Sequence, residues 1–127
     1  MHLRRIEASK ANGADAAHHA LKAATLGLHA LQEALKLKHR YTDLIYNITV
    51  AMWPALRMLM HPGSFQHAVG PLDLCVKALA ETNDPDAVWR VRLLLALARA
   101  NEDKGDIEKA VTALTDAIAL AKVVCCG

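Results

Sequence analysis

The sequence predicts an all-α fold, with antiparallel helical hairpins stacked as a segment of α-solenoid. Three observations carry that expectation. Apolar residues make up 54% of the 127 residues but aromatics only 4%, so the apolar content is mostly Ala and Leu, which lose little side-chain entropy in a helix. Runs of β-branched residues are few and short, such as Ile48-Thr49-Val50 and Val123-Val124. The breakers Gly, Pro, Asn and Asp fall in short clusters between long stretches, and short connections make consecutive helices antiparallel neighbours.

Taken in order, Asn12-Gly13 breaks the chain early. It sets off residues 1–13, an N-terminal segment without a defined pattern, from a helical unit over 14–124; residues 125–127 read as a tail. The first long helix is expected from Ala14 to Lys38, with Asp15 in its first turn and Leu21, Ala24, Leu28, Leu31 and Leu35 at spacings of three and four. Thr42 is the expected N-cap of a second helix running to about Met60, with a kink near Val50 to Trp53 imposed by Pro54. His61-Pro62-Gly63-Ser64 stops it. A third helix follows from about Phe65 to Glu81, bent or delayed at Gly70-Pro71. Asp84 as N-cap and Pro85 in the first turn open a fourth helix, which ends near Asp103 before the turn Lys104-Gly105-Asp106. A fifth runs from Asp106 to about Val124.

The last two helices are the most informative. Leu93, Leu94, Leu95, Leu97 and Ala98 leave almost no polar face around the middle of the fourth, as expected of a helix covered on all sides. Ile107, Ala110, Val111, Leu114, Ile118 and Ala121 form an apolar stripe on the fifth, and Val123-Val124-Cys125-Cys126 continues apolar to the end. Terminal repeats of free-standing solenoids carry a polar outer face. The expectation is therefore an excerpt of a longer protein, or a truncated gene product.

Residues 86–122 resemble one tetratricopeptide repeat, two antiparallel helices in a period of about 34 residues. Leu94, Leu97 and Ala98 stand at the family's large and small positions of the first helix, Gly105-Asp106 at its turn, and Ala110 and Ala117, with Leu114 between them, at the close-packing positions of the second. Asn101 stands where the family has tyrosine and Lys122 where it has its closing proline, which puts a regular peptide-binding groove in question more than the hairpin. The stretch from Arg40 to Lys122 carries a second set of landmarks: Arg40-Tyr41, Leu44 to Val50, Trp53 to Arg57, Pro62-Gly63, Val69 to Leu72, Glu81-Thr82, Trp89-Arg90, Leu93 to Leu95 and Gly105. In order and spacing these resemble the cilia- and flagella-associated protein 46 family. The resemblance implies a structural subunit of the central-pair apparatus in the axoneme of motile cilia and flagella. Its implied partners are other large projection proteins, a calmodulin-containing assembly and microtubules, and its implied place is the cytoskeleton and cytoplasm of ciliated cells. The alternative is a stand-alone tetratricopeptide-like adaptor that grips a peptide, with Arg92, Arg99 and Asn101 as the inward-facing side chains.

The residues offer little chemistry. A formal charge of +2 and scattered basic residues fall short of a nucleic-acid footprint. His18-His19 point to different helix faces, no histidines stand at i, i+4, and no Cys-x-x-Cys occurs, so no metal or other cofactor is expected. Ser9 and Ser64 are the serines, each in a terminal or turn context, and the carboxylates Asp84, Asp86, Glu102 and Asp103 sit at helix ends, where capping explains them. No enzyme is expected. Cys75, Cys125 and Cys126 make no disulfide framework, there is no signal-peptide pattern, and no run spans a bilayer; a soluble protein of a reducing compartment is the expectation, without membrane or nucleic acid as partner. Trp53 and Trp89 read as core aromatics before interface anchors. Lys36 to Arg40 reads as a favourable helix C-terminus before an acidic-partner site. Trp53 to Met60, with Arg57, only faintly suggests a calmodulin target.

Overall fold

The computed structural model describes the backbone of residues 2–37 and 40–126, and the side chains of 16–37 and 40–123. It contains five helices and, among the described residues, no strand: α1 (His2–Leu35), α2 (Thr42–Leu59), α3 (Phe65–Glu81), α4 (Ala87–Lys104) and α5 (Ile107–Cys126). Helix α1 packs on α2 and α3, α2 also packs on α3, and α3 packs on α4. Among the described residues, helix α5 packs on α4 alone. A single core runs through the stack, from Ala20 and Ala24 in α1 through Ile45, Leu72 and Leu93 to Ala113 in α5. Helices α1 and α2 approach closely at Gly27 of α1. A Cβ there would collide with Met52 Cγ of α2, so the contact depends on the missing side chain.

The local chemistry explains how α4 and α3 end. Gly105 takes the left-handed conformation at φ 93°, and Asp106 N–H donates to the Asn101 carbonyl at 2.8 Å, closing α4. Asn83 plays the same part after α3: its φ is 49°, and Asp84 N–H donates to the Leu79 carbonyl at 3.0 Å. Asn tolerates this region better than other non-glycine residues.

Several expectations are corrected. Helix α1 runs through Asn12-Gly13 without a break; an interior glycine costs a helix only about 1 kcal/mol, and alanines flank this pair on both sides. The regular helix ends at Leu35 rather than Lys38, with Lys36 and Leu37 in a turn; Lys38 and His39 lie outside the described residues. Thr42 is the first residue of α2 and does not cap it: Tyr41 holds the cap position with no side-chain hydrogen bond. Pro54 lies inside α2 and Pro71 inside α3, and α3 begins at Phe65, without a delay to Pro71. The cap of α4 is Asp86, two residues later than expected, because its carboxylate accepts the Trp89 N–H at 3.0 Å. Asp84 instead accepts the Asp86 N–H at 2.9 Å, making the turn that leads in. Helix α4 is not covered all round, for Leu95 is 49% exposed.

Candidate docking surfaces

Helix α2 meets the start of α4 at a polar joint. Tyr46 donates its hydroxyl hydrogen to Asp86 Oδ2 at 2.6 Å, while Asp86 Oδ1 caps α4. Trp89 donates Nε1–H to Thr49 Oγ1 at 3.1 Å, and Thr49 passes its own hydrogen to the Tyr46 carbonyl at 2.6 Å. Thr49 is fully buried, and these bonds account for its hydroxyl. The Trp53 ring stands edge-on to Trp89, centroids 5.4 Å apart at 77°, an arrangement aromatic rings favour. The Tyr46 hydroxyl first, and the Trp89 N–H second, hold the Asp86 carboxyl below its ordinary value of 3.8. The Tyr46 phenol is raised above its ordinary 10.0, chiefly by that same bond, then by burial and by the charges of Asp86 and Asp84. The Tyr46–Asp86 and Trp89–Thr49 bonds tie the two helices together, and the other two close within α4 and within α2.

Beyond the joint, α4 forms the floor of a groove walled by α3 and α5. Two adjoining cavities, of about 370 Å³ and about 540 Å³, share Val76, Leu94 and Asp116. The floor residues Arg90, Leu94, Leu97, Asn101 and Lys104 follow the helix repeat. Asn101 is 3% exposed; its amide N–H donates to the Leu97 carbonyl at 3.1 Å, and its Oδ1 has no partner. Arg92 is exposed, and Arg99 lies over the Phe65 ring at 5.8 Å. The helix repeat sets Arg92 and Arg99 on the side of α4 opposite Asn101, so these three residues do not converge.

On its α5 side the α4–α5 seam is made of small residues. Ala110, Ala113 and Ala117 of α5 are buried, as are Leu94, Leu97 and Ala98 of α4, with Gly105 in the turn. Leu114, placed with them by sequence, is 43% exposed. With Ile107, Val111 and Ile118 it forms a second stripe at spacings of four, three and four, each side chain between 43% and 59% exposed. The helix repeat turns this stripe about a quarter circle from the alanines, away from the groove and next to Leu95 of α4. Sequence reasoning merged the two stripes into one. The signal that separates them is that Ala110, Ala113 and Ala117 have the helical spacing by themselves, and close approach of two helix axes selects the small set.

Among the described residues no three of His, Cys, Asp and Glu cluster as metal ligands, and no helix is long and apolar enough to cross a membrane. Cys75 is buried beside Met52, sulfur to sulfur 3.8 Å, and burial pushes its thiol up to about 12. It is held as the neutral thiol, which is a poor nucleophile. No protein-family model matches the sequence, and no solved structure matches it significantly.

Proposed function

We propose that the chain is a scaffold segment, a piece of α-solenoid whose work is to make protein–protein contacts. The observation that carries this reading is the exposed stripe Ile107, Val111, Leu114 and Ile118 on α5. Each hairpin of a solenoid buries such a face against the next helix in the stack. The packing order agrees: successive helices lie side by side, and α1 reaches past α2 to α3.

The setting we propose is the central-pair apparatus of motile cilia and flagella, where the segment supports projection assembly and motility. Its partners there are other large projection proteins, a calmodulin-containing assembly and microtubules. The landmark residues support this assignment, and Tyr46, Trp53 and Trp89 among them form the α2–α4 joint. The alternative, an adaptor gripping a peptide, would use the groove between α3 and α5. Arg92 and Arg99 do not line that groove, which removes two of the three side chains it relied on.

The test is to tag the gene product in a motile ciliated cell. Signal along the axoneme that disappears in cells lacking the central pair is the expected result. Diffuse cytoplasmic signal would remove the ciliary role and leave the helical scaffold as a contact module of another assembly.

A further inference from the structure

We infer that the groove floored by α4 seats an acidic amphipathic helix of a partner protein, at a notch formed by Gly70 of α3 and Asn101 of α4. Both residues line the larger cavity, of about 540 Å³, and each is a local cost that no contact within the described chain offsets. Gly70 lies inside α3, where glycine weakens a helix relative to alanine. At Gly27 the missing side chain makes room for Met52, whereas at Gly70 a Cβ would meet nothing within 4 Å among the described residues. Asn101 is 3% exposed, and its Oδ1 has no partner. The Leu97 carbonyl can only accept, so it must face the amide nitrogen, and the open end is the oxygen. An unmet buried acceptor destabilises the free chain. Two local conflicts on one cavity mark it as shaped for something outside the chain.

The walls say what that is. Helices α3 and α5 both flank the α4 floor and, among the described residues, do not pack on each other. The floor from Arg90 to Lys104 is about four turns long. A helix fits such a seat, because a glycine lets another backbone come close and an amphipathic helix sets apolar anchors into a groove. One anchor enters the smaller cavity beside Leu79, Leu94 and Leu120. A hydroxyl or amide donor about two turns along the partner meets Asn101 Oδ1, as Asn101 lies about two turns from Leu94. The lining is basic: Lys77, Arg90, Lys104 and Lys109 outnumber Asp73 and Asp116, and Asp73 is already held by Lys77 at 2.9 Å. The complementary partner is acidic. This inference rests on the reading of the chain as a contact-making segment and adds a surface separate from the α5 stripe.

The probe is a phage-displayed library of helical peptides about four turns long, selected against the purified full chain. The enriched peptides are expected to be acidic, with a large apolar anchor and a Ser, Thr, Asn or Gln about two turns away. Gly70→Leu and Asn101→Leu should each weaken their binding by about tenfold or more, while Ile118→Ser on the stripe leaves it unchanged. Urea unfolding of the chain alone reads the two local costs: Gly70→Ala and Asn101→Leu should each raise the midpoint, so that lost binding is not lost folding. Enrichment of no peptide, or of basic ones, overturns the inference. So does binding that Ile118→Ser abolishes and Gly70→Leu spares, or a midpoint that both substitutions lower. Axonemal signal with no enriched peptide would keep the scaffold reading and sink the groove alone.

Discussion

At Gly27 a single missing side chain decides how closely α1 and α2 meet. In an exposed helix, replacing glycine by alanine stabilises by about 1 kcal/mol. Here the new Cβ collides with Met52, which is itself buried, and overpacking costs about 1–3 kcal/mol. Gly27→Ala is therefore expected to lower the urea midpoint despite its better helix propensity; a higher midpoint would mean that Met52 yields freely. The Tyr46–Asp86 bond makes a prediction in pH. Folding lowers the Asp86 pKa, so that contribution is full above the ordinary 3.8 and is lost as pH falls through the lowered value. Folding raises the Tyr46 pKa, so its contribution is full below the ordinary 10.0 and is lost as pH rises through the raised value. Tyr46→Phe should flatten both limbs of a plot of urea midpoint against pH. Unchanged acid and alkaline limbs would show that the bond adds nothing to stability.

At the scale of the helix, α5 tests the distinction between its two stripes. Ala110→Leu forces a large side chain into the close seam with α4 and should destabilise by about 1–3 kcal/mol. Ile118→Ser changes an exposed position and should stay within about 0.5 kcal/mol in dilute solution. If urea unfolding ranks them the other way, α5 is rotated from the orientation described. The same helix shows what the sequence made legible. The all-α class and the span of α3 followed from composition, spacing and breakers, and so did the glycine turn after α4. The direction of α5 did not, because its apolar arc is wider than the face that α4 covers. The cap of α4 was misplaced for a related reason. Asp84 and Asp86 are both good caps in isolation, and Asp86 is the one that also receives Tyr46 from a helix 40 residues away. Asn12-Gly13 misled because a glycine weighs little inside a long alanine-rich helix. The docking surfaces were the least legible part, since they depend on which faces the neighbouring helices leave bare.

Over the whole molecule, support is uneven. Helices α2 and α3 are each held by two or more neighbours or by the polar joint, whereas α5, among the described residues, leans on α4 alone. Stability within a protein varies in the same way, with thinly supported elements opening first. Amides of α5 are expected to exchange with deuterium sooner than those in the middle of α3, which hydrogen-exchange mass spectrometry can read. Equal protection in the two helices would mean that the chain opens only as one unit.

The buried thiol beside Met52 has a practical consequence. A neutral sulfhydryl that solvent cannot reach is spared by alkylating reagents until the surrounding helices part. Cys75 is in contact with α2, and α5 does not cover it, so fraying of α5 leaves it protected. Its rate of labelling by iodoacetamide therefore acts as a stopwatch for the deeper opening of the stack. That rate should run slower than exchange in α5, and it should quicken in Gly27→Ala, where the wall that carries Met52 is pushed outward.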